Sequence, residues 1–163
     1  MANAKERHKE SHPSSIDDAE VARFAALAGD WWNPRGPMAP LHKFNPVRIA
    51  FIRDRASAHY GRDPKALDSL KDLDILDVGC GGGVLAEPLA RLGGRLVGID
   101  PAGENAAAAR IHAEQSGLAI DYRATTVEEL AGTGKRFDIV VASEVVEHVA
   151  DLGLFVRACA DCV

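Results

Sequence analysis

The rhythm of apolar positions changes once along this chain, near residue 73. Upstream, apolar residues recur at helical spacing: Val21, Phe24, Ala25 and Ala28 share one face, and Ile49, Ile52, Ala56 and Tyr60 share another. The first set predicts a helix from Asp17, capped by that carboxylate, with Glu20 completing a capping box and Gly29 ending it. The second predicts a helix opened by Asn45-Pro46, an N-cap followed by proline at the first helical position, and running through about Tyr60. Between them, Trp31-Trp32 and the stretch from Pro34 to Pro40 predict an ordered loop, because paired indoles are too apolar to leave in water. From Leu73 onward the pattern alternates between strand-like and helix-like segments. Strands are predicted over 74–79, 95–99, 119–124 and 136–142, and helices near 84–92, 103–116, 126–131 and 151–161. That alternation defines an α/β fold, a doubly wound, Rossmann-like parallel sheet with N-terminal helices beside it. Pro88 kinks the helix after the first strand or marks its first turn, while Gly93-Gly94 and Gly117 end two helices. The chain divides into a polar leader, 1–16, expected to be disordered, a helical segment, 17–72, and the Rossmann-like domain, 73–163.

Composition narrows the partners. At 163 residues the chain can bury one real core. A net charge of −5 argues against nucleic acid as the main partner, since phosphate contacts need a basic surface. No apolar run approaches the ~20 residues of a membrane span. Acids within the first twenty residues (Glu6, Glu10, Asp17, Asp18, Glu20) are foreign to transit peptides, and no signal-peptide core follows the N-terminus, so a cytoplasmic location is expected. Cys80, Cys159 and Cys162 make no disulfide framework. The Cys159–Cys162 spacing lacks the second pair a zinc site needs and reads as two small residues on a helix.

The chemistry gathers at Asp77-Val78-Gly79-Cys80-Gly81-Gly82-Gly83, where an apolar strand runs into a glycine-packed turn and then a helix. The next strand ends on Asp100, placed to hold a ribose diol. A dinucleotide site wants a third glycine where Val84 stands, and a phosphate-binding loop wants Gly-Lys-Ser/Thr, which is absent. What remains, Asp-x-Gly-x-Gly-x-Gly carried by Asp77, Gly79, Gly81 and Gly83, resembles motif I of the class I S-adenosylmethionine methyltransferases. That cofactor has no phosphates, and the resemblance lays its amino-acid tail along the glycine turn. After the fourth strand come Glu144, Glu147 and His148. On a helix their spacing shares one face, so two carboxylates and an imidazole could meet a hard cation such as Mg2+; the alternative is a solvated helix start.

Six further segments narrow the resemblance: Trp31-Trp32, Pro40-Leu41-His42, Asn45-Pro46-Val47-Arg48, the glycine turn, Thr126-Val127-Glu128-Glu129 and Glu144-Val145-Val146-Glu147-His148-Val149. Their order and spacing are similar to those of the ubiquinone biosynthesis O-methyltransferases, from about residue 20 to the end. The resemblance implies transfer of the sulfonium methyl to phenolic oxygens of polyprenylated catechol or demethylubiquinol intermediates. It implies Arg48, Gly79, Asp100 and Ser143 as cofactor contacts and Glu144, Glu147 and His148 as Mg2+ ligands. His148 is also a general-base candidate, a role that competes with metal ligation. A very apolar substrate implies peripheral contact with the inner membrane surface, and the pathway implies a biosynthetic complex. The alternatives are another small-molecule methyltransferase, a cofactor-binding module without turnover and, more distantly, a nicotinamide-dependent oxidoreductase. Family members continue through three more strands, so the chain is expected to be a fragment with an uncovered fourth strand, prone to aggregate and inactive alone.

Overall fold

The computed structural model describes residues 14–163. The predicted disorder of residues 1–13 lies outside the described residues. Helix α1 (Asp18–Ala25) and a short 3-10 turn lead through the tryptophan segment to α2 (Ala39–Tyr60), which ends on left-handed Gly61. Then β1 (Asp74–Val78), α3 (Ala86–Arg91), β2 (Arg95–Asp100), α4 (Gly103–Gln115), β3 (Asp121–Ala124), α5 (Val127–Gly132), β4 (Ile139–Ala142) and α6 (Leu152–Asp161) alternate. All pairings are parallel, as the alternation predicts, and the order is β3-β2-β1-β4.

Both faces of the sheet are covered, so β1 buries every residue from Ile75 to Val78, the Asp77 carboxylate included. Ile75 points into a layer with Leu70, Leu89, Ala109 and Ala113, on the side of α2, α3 and α4. Leu76 and Val78 point the other way, onto Val127, Leu130, Phe155 and Ala158 of α5 and α6. Ile75 and Leu76 are fully buried, each contributing about 1.5–3 kcal/mol from apolar burial. The register sets Val78 beside Ile99 and beside Ala142, so the turns after β1, β2 and β4 leave one edge of the sheet together. Functional side chains are brought together there.

Four local predictions need correction. Asn45 is not an N-cap: α2 begins six residues earlier, at Ala39, with proline in its first turn, and runs through Pro46. The Asn45 side chain is taken up by tertiary bonds, donating to the Val84 carbonyl at 2.7 Å and accepting from Arg48 at 2.9 Å, so its helix start is outcompeted. Asp17 caps α1 as predicted, but Glu20 does not close a capping box; its carboxylate turns to Arg23 and His148. Gly29 sits in the 3-10 turn and α1 stops at Ala25. Ser15 and Ile16, assigned by their polarity to the leader, are pinned: Ile16 bridges Val149, and the Ser15 carbonyl accepts from Ala150 at 2.8 Å. Pro88 lies in the first turn of α3, and Cys159 and Cys162 lie at the end of α6.

Candidate cofactor cleft

The turn after β1 is built from backbone that only glycine adopts cheaply. Gly79, Gly81 and Gly83 have φ of 69°, 52° and 83°. The Gly79 and Cys80 amides both donate to the Ile99 carbonyl, at 2.8 and 3.0 Å, which ties the turn to the end of β2. A Cβ on Gly81 would overlap the ring of Trp31, so the indole lies directly against the turn. Trp31 and Trp32 form the ordered segment their apolarity predicts. The Trp32 indole donates to the Gly82 carbonyl at 2.8 Å and stacks on His112 with ring centroids 3.5 Å apart. His112 in turn meets the buried Glu87 carboxylate at 2.6 Å.

Two cavities flank Trp31. One, of about 120 Å³, runs past Ile99, Asp100, Asn105 and Thr126. The other, of about 330 Å³, is lined by Arg48, Asp77, Cys80 and Ser143, and both reach Gly79, Glu144 and His148. Asp100 is buried and raised above the ordinary carboxylate range by desolvation, which hydrogen bonds from Ala102, Asn105 and Gly81 oppose. Asp77 is also buried. Desolvation pushes its carboxyl up to about 7; the Arg48 charge pulls it down, and the Asp100 charge adds to the rise. One Asp77 oxygen, Oδ2, has no hydrogen-bond partner, nor has the buried Nε of Arg48. The Arg48 fork is otherwise engaged, donating to Ser143 Oγ at 3.3 Å and to Asn45 Oδ1 at 2.9 Å.

The structure thus gathers Arg48, Asp77, Gly79, Gly81, Gly83, Asp100 and Ser143 at one edge of the sheet. It does not gather a metal site from Glu144, Glu147 and His148. Residues 144–148 are not an α-helix, so the one-face argument fails: Glu144 is left-handed at φ 59°, and only Val146–His148 form a 3-10 turn. His148 Nδ1 meets Glu20 Oε2 of α1 at 2.7 Å, while Nε2 is 3.8 Å from Glu147 Oε1. Among the described residues no group of three His, Cys, Asp or Glu side chains is arranged to hold an ion. As arranged, these three do not fit Mg2+. Sequence reasoning also missed Glu20 and Asn105, whose partners lie far along the chain; Glu20 was read only as a cap and Asn105 carries no motif.

A sheet of this order, with a glycine turn after β1 and a carboxylate ending β2, defines a nucleoside-binding α/β domain. The chain belongs to the family described as "Methyltransferase domain", whose model matches residues 76–163. It is 57% identical over 152 residues to a ubiquinone biosynthesis O-methyltransferase of Chelativorans sp. (strain BNC1), covering 93% of this chain and 60% of that protein. A protein of the same name from Methylobacterium sp. (strain 4-46) is 58% identical over 147 residues, covering 90% of this chain and 59% of its own. The chain therefore spans about three fifths of the length of these curated relatives. Among solved structures, magnesium protoporphyrin IX methyltransferase from Synechocystis PCC 6803 with bound SAM shares the fold, at TM-score 0.64 and 22% identity, over 93% of this chain and 74% of that one.

Proposed function

We propose that the cleft binds S-adenosylmethionine and serves O-methylation of polyprenylated catechol or demethylubiquinol intermediates in ubiquinone biosynthesis. The observation that carries the cofactor reading is the pair of unsatisfied buried atoms, Arg48 Nε and Asp77 Oδ2, on residues lining one cavity. A zwitterionic amino-acid group supplies both missing partners: its carboxylate to Arg48, its ammonium to Asp77. Asp100, at the neighbouring cavity, is the acceptor for ribose hydroxyls. The glycine turn between them lets the backbone approach a ligand closely. The substrate class is supported by the names of the relatives alone.

The cofactor, once bound, supplies an electrophilic methyl on a sulfonium. The residues of this chain supply position and proton removal. A phenol has pKa about 10, so it needs help to attack near neutral pH. His148 is placed for that at the mouth of both cavities. Glu20 holds Nδ1, which fixes the tautomer that donates to the carboxylate and leaves Nε2 as the basic nitrogen. Helix α1 thus orients the base from across the cleft. The wall of Phe24, Leu27, Met38 and Leu41 suits an apolar ligand body. Peripheral contact with a membrane follows from so apolar a substrate; no helix among the described residues is long and apolar enough to cross one.

The test pairs calorimetry with S-adenosylhomocysteine and a methyl-transfer assay on a polyprenylated catechol and a demethylubiquinol. Binding with transfer to either phenol supports the proposal. Binding without transfer to either supports the cofactor reading alone and leaves a cofactor module, and no binding sinks the proposal entirely.

A further inference from the structure

Resting on the reading of Asp100 as the ribose acceptor, the hydrogen bonds behind that carboxylate assign a role to two residues outside the motif. We infer that Trp31 and Asn105 are positioning residues that orient the Asp100 carboxylate for the ribose diol.

The chain of bonds is short and buried. Trp31 Nε1 donates to Asn105 Oδ1 at 2.8 Å, and Asn105 Nδ2 donates to Asp100 Oδ1 at 3.2 Å. Asn105 is 1% exposed and Trp31 and Asp100 are 7% exposed, so water does not replace these partners. An indole nitrogen only donates. Its N–H therefore dictates which end of the Asn105 amide faces it: the oxygen turns to Trp31, and the NH2 is left for Asp100. Without the indole N–H, Asn105 Oδ1 loses its partner and the amide is held from one side only, by its bond to Asp100, so the carboxylate is oriented less firmly.

The carboxylate itself is nearly filled. Oδ1 accepts from the Ala102 amide at 2.9 Å as well as from Asn105, and Oδ2 accepts from the Gly81 amide at 3.0 Å. A carboxylate offers about four acceptor positions. The remaining one is on Oδ2, the oxygen that Asn105 does not touch. Saturating Oδ1 thus presents Oδ2 to the ligand and discourages rotation of the group. Trp31 lines both cavities and packs on Gly81, so the residue that sets the amide also touches the turn that holds Oδ2. Its carbonyl accepts from His42 Nε2 at 2.8 Å, which fastens it to the helix carrying Arg48.

The experiment compares two ligands on three proteins. S-adenosylhomocysteine and its 2′,3′-dideoxy analogue are titrated calorimetrically into the wild-type chain, Trp31→Phe and Asn105→Ala, with thermal melts to confirm folding. Trp31→Phe keeps an aromatic ring, smaller than the indole, and removes the N–H. The expected result is about 3–10-fold weaker binding of S-adenosylhomocysteine to each variant, the span of one lost hydrogen bond, with dideoxy affinity unchanged. Equal losses for both ligands would reduce the relay to packing and overturn the inference, as would unchanged affinities. If Asn105→Ala does not fold, the ratio of the two affinities in Trp31→Phe alone decides. Failure of the wild-type chain to bind S-adenosylhomocysteine would instead bring down the cofactor reading and the inference with it.

Discussion

The turns after β1 and β4 leave neighbouring strands at the same edge of the sheet and line the same cleft, yet they are held in different ways. The turn at 79–83 is held locally: left-handed glycines set its course, and two of its amides close on the end of β2. The turn at 143–148 has no such grammar. Glu144 is left-handed without being glycine, and the segment is secured by remote partners, with His148 on Glu20 and Val149 and Ala150 on Ile16 and Ser15. Short-range sequence specifies the first turn; packing of the N-terminal segment specifies the second. The glycine turn is therefore set mainly by its own backbone, while the turn carrying His148 depends on α1 being in place.

The sharpest way to break this contrast is to fill the rigid turn. Gly81→Val adds a side chain where the Trp31 ring lies, at a φ of 52°. It should abolish S-adenosylhomocysteine binding by calorimetry and cost about 1–3 kcal/mol in urea unfolding. A variant that binds normally would mean the turn is softer than described. Next in size is Asp77→Asn, which removes the charge that meets the ligand ammonium and one of its two acceptor oxygens, and should weaken binding at least about 10-fold.

The same variant carries a pH signature. Asp77 titrates at about 7 when folded, above its ordinary 3.8, because burial disfavours the charged form. A raised acid stabilises the fold fully below the lower value and loses that contribution as pH rises through the higher one. Without ligand, Asp77→Asn should therefore gain melting temperature on wild type as pH goes from about 4 to about 8. A constant difference across that range would show that Asp77 is solvated.

The second turn should respond differently. Glu20→Gln removes a carboxylate from a half-exposed pair, so stability should fall by only about 0.5 kcal/mol. Cofactor affinity should stay within about twofold, while methyl transfer should fall further, because the imidazole loses its orienting partner. Loss of cofactor affinity in Glu20→Gln would erase the division between the two turns.

The fold and the rigid turn were legible in the sequence for the reason that separates the two sites. Strand-helix alternation, Gly117 as a left-handed cap and the glycine turn all act over a few residues, and the parallel sheet followed from the alternation. Asp100 was legible because it ends a strand one βαβ step away. The relay from Trp31 to Asn105 spans 74 residues and leaves no periodic trace. Asn45 was misread because its capping tendency is real locally but lost to Val84 and Arg48. Glu144, Glu147 and His148 were misread because their spacing has meaning only on a helix, and the segment is not one.

The most direct test of the cofactor cleft is proton release on binding, measured by calorimetry at about pH 6.5 in buffers of different ionisation enthalpy. S-adenosylhomocysteine should bind with release of a fraction of a proton as its ammonium settles against Asp77 and draws that carboxyl down from about 7. Methylthioadenosine, which lacks the amino-acid end, should bind more weakly and release less. Equal proton release by the two ligands, or none by S-adenosylhomocysteine, would contradict the placement of the amino-acid end between Asp77 and Arg48.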